Sequence, residues 1–99
     1  MFFESRMEIV IDWDIFESEQ EFYDNFLPQV SAPEWHGQNL DALGDSIVTG
    51  DVNGIEPPYT ILSTNEGSIS ESLKAFQAKV LAIFIEAKDA GRDIHVVKV

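Results

Sequence analysis

The stretch Ala32-Pro33-Glu34-Trp35-His36-Gly37-Gln38-Asn39-Leu40-Asp41-Ala42-Leu43-Gly44-Asp45-Ser46-Ile47 joins a Pro- and Gly-bearing loop to a short acidic helix. The segments on either side read as its support. Asn39 is a good N-cap, because its side-chain oxygen can accept from the unpaired N–H groups of a first turn, and it predicts a helix running to about Thr49 or Gly50. Leu40, Leu43 and Ile47 recur at helical spacing and would face a core. Asp41 and Asp45 are four residues apart and stack on one outer strip, where like charges oppose each other by roughly 0.2–0.5 kcal/mol. Asp41, in the first turn, gains from the helix dipole, whereas Asp45 lies past it. Gly44 costs a helix interior about 1 kcal/mol relative to Ala. A helix that forgoes local stability at several points marks a candidate binding surface.

Upstream, Glu8-Ile9-Val10-Ile11-Asp12 is a β-branched run with apolar residues on both faces, the pattern of a parallel strand buried on both sides. Ser18-Glu19-Gln20-Glu21 is a capping box in which Glu21 would reach back to the Ser18 N–H. The helix that follows aligns Phe22, Tyr23, Phe26, Leu27 and Val30 on its core face, and Pro28 strains its last turn. Between this helix and Asn39, Gly37 lets the backbone bend beside Trp35 and His36.

Downstream, residues 51–58 are turn chemistry. They begin like a calcium loop but lack the further oxygen ligands and terminal Glu that such a loop needs. Tyr59-Thr60-Ile61-Leu62-Ser63 is a second strand, and Ser68-Ile69-Ser70-Glu71 a second capping box. From there Ile69, Leu73, Phe76, Val80, Phe84 and Ala87 form an apolar stripe, on one long helix or on two joined near Lys74 to Ala78. Gly91 is suited to a left-handed C-terminal cap, and Ile94-His95-Val96-Val97-Lys98 is a third strand. Strands separated by helices imply right-handed crossovers. The expected fold is α/β, a small three-stranded, mainly parallel sheet with three to four helices packed around it.

Ninety-nine residues, 44% of them apolar, suffice for one domain with a modest core. There is no cysteine, so neither disulfides nor thiolate metal sites contribute, which fits a reducing compartment. Residues 1–6 carry an acid early and lead into no long apolar run, so they read as neither a signal peptide nor a membrane span. The expected location is the cytoplasm. Residues 1–6 are expected to be a frayed extension, with residues 7–99 forming the domain. Eighteen acids against six bases give a formal charge of −12, which disfavours nucleic acid and anionic membranes as partners and suits the steering of a basic one.

Pro33-Glu34-Trp35-His36-Gly37-Gln38-Asn39-Leu40-Asp41-Ala42-Leu43-Gly44-Asp45 resembles the signature of the barstar family, intracellular protein inhibitors of secreted microbial ribonucleases. Phe84-Ile85-Glu86-Ala87-Lys88-Asp89-Ala90-Gly91-Arg92-Asp93-Ile94 is similar to that family's last helix and its turn into the final strand. The resemblance implies a monomer when free and a one-to-one complex with a basic ribonuclease or related nuclease toxin, without cofactor or metal. It implies that Asp45 is the principal anchor in a phosphate pocket, Asp41 a second cleft contact, Trp35 a stacking aromatic and Glu86 a further acidic contact. His36, Gly37, Gln38, Asn39 and Gly44 fall in the same contact stretch. Gly44 departs from the pattern, since the family's founding member has a large aromatic there, and His36 and Gln38 also differ from its residues.

Two other readings compete. An enzyme using Asp41, Asp45 and His36 would need a phosphate loop, a nucleophile elbow or a metal-spaced His pair, and the sequence has none of these. A barstar-like binding module whose partner is not a nuclease is the alternative, because families diverge at contact residues such as Gly44.

Overall fold

Three runs rich in β-branched residues make the sheet: β1 (Met7–Asp12), β2 (Tyr59–Thr64) and β3 (Ile94–Lys98). The computed structural model describes residues 7–30, 32, 37–49 and 58–99. All strands are parallel, in the order β1-β2-β3, with Ile9 opposite Ile61 and Ile61 opposite Val96. Each new strand is added on the same side of the last, so right-handed crossovers carry their helices to the same face. Burial alternates accordingly. Ile9, Ile11, Tyr59, Ile61 and Ile94 are buried, whereas Val10 is 43% and Val97 42% exposed. The pattern of β1 had suggested burial on both faces, with helices around the sheet. Among the described residues the helices instead lie to one side, because strand order decides which faces are covered and composition does not.

A 3-10 turn (Trp13–Ile15) leads from β1 to α1 (Glu19–Gln29). Ser18 caps α1 by accepting from the Glu21 N–H at 3.2 Å. The Glu21 carboxylate turns to the Glu17 N–H, 2.7 Å away, one residue before the expected Ser18 donor. Pro28 stays within the last turn, where its missing N–H costs a single bond. Phe22, Tyr23, Phe26, Leu27 and Val30 are all buried, as their spacing requires. Phe22 stacks between Trp13 and Phe26, with ring centroids 5.7 and 5.4 Å away, and Phe76 meets it edge-on. Gln29 reaches the outer edge of β1, accepting from the Val10 N–H at 3.1 Å and donating to the Val10 carbonyl at 2.8 Å. The edge strand thereby spends two of the polar groups that would otherwise template another strand.

Beyond β2 the chain makes two 3-10 turns, Glu66–Ser68 and Glu71–Leu73, before α3 (Lys74–Asp89) begins. The expected capping box at Ser68 does not form, because the backbone at Ser70 starts a 3-10 turn closed by the Leu73 N–H on the Ser70 carbonyl. The apolar stripe from Ile69 to Ala87 is therefore one α-helix preceded by a tight turn, and all six of its residues are buried. Gly91 adopts φ +98° and closes α3: its N–H bonds the Lys88 carbonyl, and the Arg92 N–H bonds that of Ala87.

Candidate functional site

Asn39 caps α2 (Leu40–Gly44), its Oδ1 accepting from the Ala42 N–H at 2.8 Å. The helix expected to run on to Thr49 or Gly50 changes character at Gly44, and Asp45–Thr49 winds as a π turn. Such turns recur at functional sites, and nothing in the apolar spacing announces this one. Leu43 and Ile47 remain buried beneath it. Gly37 lies just upstream and is half-buried. A side chain there would bring a Cβ to 3.0 Å from the Ala42 Cβ and 3.1 Å from the Asn39 amide nitrogen. It allows close packing against the start of α2, and the bend expected beside Trp35 and His36 lies outside the described residues. Gln38 is exposed, and its Oε1 accepts from Gln20 Nε2 at 2.7 Å, which ties the entry of α2 to α1.

Asp41 and Asp45 are both exposed and line the same groove between α2 and α3. The four-residue spacing therefore does what it predicts. From α2 and the π turn the groove takes Leu40, Asp41, Gly44, Asp45 and Val48, and from α3 it takes Lys79, Ala82, Ile83 and Glu86. Glu86 thus joins the two aspartates across a sequence gap that no local pattern bridges. Among the described residues, neither the Asp41 nor the Glu86 carboxylate has a hydrogen-bond or ion-pair partner within the chain, and the Lys79 ammonium has none either. Trp35 and His36 fall outside the described residues.

Sequence reasoning missed Lys79, Ala82 and Ile83. Their signal was available: with Glu86 they recur at intervals of three, four and seven residues, a second face of α3 beside the core stripe. Chemically, unpaired carboxylates on one side of a helix pair are acceptors for the planar fork of a guanidinium. No group of three or more His, Cys, Asp or Glu side chains is placed to hold a metal ion among the described residues. No described helix is long and apolar enough to cross a membrane.

The family model described as "Barstar (barnase inhibitor)" matches residues 6–98 of this chain. The chain is also 29% identical over 86 residues to "Putative ribonuclease inhibitor YrdF" of Bacillus subtilis (strain 168), a match covering 87% of this chain and 90% of that relative.

Proposed function

The chain belongs to the barstar family, and from that membership and the geometry of the groove we propose that it inhibits a ribonuclease or related nuclease toxin by laying α2 and the adjoining face of α3 in the enzyme's active site. A nuclease that holds phosphates must line its cleft with Arg, Lys and His aimed at anionic oxygens. Carboxylates held on a folded surface can take those places without being cleaved. Asp45 is the main anchor in this reading, Asp41 reaches a neighbouring subsite one turn away, and Glu86 engages a third cation from α3. Trp35, His36, Gly37, Gln38 and Asn39 extend the contact on the family's pattern. The protein is an inhibitor and not an enzyme, monomeric when free, acting one-to-one in the cytoplasm. One observation carries the reading: three acidic side chains line a single groove, and two of them, Asp41 and Glu86, have no partner among the described residues.

The test uses a basic nuclease encoded beside this gene, with RNA cleavage and the binding of a non-cleavable oligonucleotide as readouts. Equimolar protein should stop cleavage, and the oligonucleotide should compete with it for the enzyme. If enzyme, oligonucleotide and this protein form a ternary complex that still cleaves, active-site occlusion is wrong. If the protein does not bind the nuclease at all, the barstar-fold module for another kind of partner is the better reading.

A further inference from the structure

The groove between α2 and α3 holds more apolar surface than charge pairing uses. Its floor is Leu40, Gly44 and Val48 on one side and Ala82 and Ile83 on the other, and its volume is about 490 Å³. Leu40, Val48 and Ile83 pack against the core yet remain only partly buried. Gly44 keeps the floor open, since no heavy atom lies within 4 Å of where its Cβ would stand. Among these lining residues Lys79 is the one cation, and its ammonium has no ion pair among the described residues although three carboxylates line the same groove. Lys79 and Glu86 are seven residues apart on α3, about 10 Å along its axis, so the two charges mark different ends of the helix face.

We infer that this groove is a slot for one aromatic side chain of the partner, inserted over Gly44 with its face toward Lys79 and its edge toward the carboxylates. The inference rests on the reading above for where the partner docks. Cations of the partner can meet Asp41, Asp45 and Glu86 at the rim without entering the floor, which leaves a wide apolar surface in need of a wide apolar occupant. A ring carries negative charge on its faces and positive charge on its edge. An ammonium along one side and carboxylates on another complement that distribution. A guanidinium is drawn to the carboxylates at the rim, and inserted further it would set a hydrated charge beside the Lys79 ammonium and leave the apolar floor unfilled. An aliphatic side chain would fill the floor but leave the Lys79 ammonium unanswered. The partner surface so described is an aromatic residue ringed by basic ones.

The slot is testable on the protein alone, with indole as probe and the amide resonances of the full ¹⁵N-labelled chain as readout. Indole should shift the Gly44, Val48, Lys79 and Ile83 amides saturably. Gly44→Trp and, independently, Ala82→Trp should abolish the saturable shifts while resonances of the sheet stay in place. Lys79→Met should weaken indole roughly two- to fivefold, the worth of an exposed cation over a ring. Asp45→Ala removes one of the three carboxylates that face the ring edge and should weaken indole only slightly while it impairs nuclease inhibition severely; saturable indole shifts beside unimpaired inhibition by Asp45→Ala would mean that the inhibitor reading fails while the slot stands. The inhibited nuclease should displace indole. Absence of saturable shifts, stronger shifts with agmatine than with indole, or indole and nuclease bound together would each overturn the slot.

Discussion

Tyr23 and Tyr59 are the two phenols of this chain, and both are buried. Burial pushes each hydroxyl from the ordinary value of 10.0 up to about 12; Glu19 adds to the rise at Tyr23, and Arg92 works against it at Tyr59. The folded pKa values lie above the unfolded one, so the stability that depends on neutral phenols is complete below pH 10.0 and is lost as pH rises toward about 12. An alkaline titration should show tyrosinate absorbance and loss of helical circular dichroism rising together in that window, with Tyr23→Phe weakening the coupling. Tyrosinate formation near pH 10 with no loss of structure would contradict it. At the same scale, Asn65 occupies the left-handed region at φ 57°, and its amide donates to Asp12 Oδ1 at 2.9 Å, which with the Asp14 N–H holds the Asp12 carboxyl below its usual range. The placement of Asp41 and Asp45 was readable because a spacing of four residues only slightly exceeds one helical turn. The meeting of Glu86 with them was not readable from spacing, since it depends on how α3 lies against α2, and the resemblance alone suggested it. Lys79 was passed over because a lysine on the outer side of an amphipathic helix looks like ordinary solvation.

Among the elements, α2 with its π turn is the one whose local preferences oppose its structure. Gly44 sits at the junction without a left-handed φ and with open space beyond its Cα. Gly44→Ala should therefore stabilise the fold by about 1 kcal/mol or slightly less, read as a higher urea midpoint at unchanged slope. A lower midpoint would mean that the π turn requires glycine for its backbone. The strands, the buried stripes of α1 and α3, and the Gly91 cap were all legible, because each follows from a period of two or three to four residues or from a single special φ. What was not legible has a common cause. The π turn keeps the same apolar positions as an α-helix, and the Ser70 region exchanges a capping box for a 3-10 turn with the same residues. The open face of β1 follows from strand order, which Val10 cannot announce on its own.

For the whole molecule, a formal charge of −12 on 99 residues sets how a basic partner is met. Long-range attraction is screened within about 8 Å at physiological ionic strength. Association with the nuclease should slow by on the order of tenfold or more between low and physiological salt, with dissociation changing much less, in stopped-flow traces. A salt-independent association rate would remove steering from the account. The face that receives the partner is set by the fold: the one-sided sheet fixes α3, α3 forms one wall of the groove, and α2 brings its aspartates to the other. The most direct measurement is the dissociation constant of Asp45→Ala with its nuclease against that of the parent chain. The account predicts a loss of roughly 2–5 kcal/mol, the range that truncating one member of a buried interfacial charge pair gives, a complex of this same family among the measured cases. Equal affinity for the two proteins would contradict it.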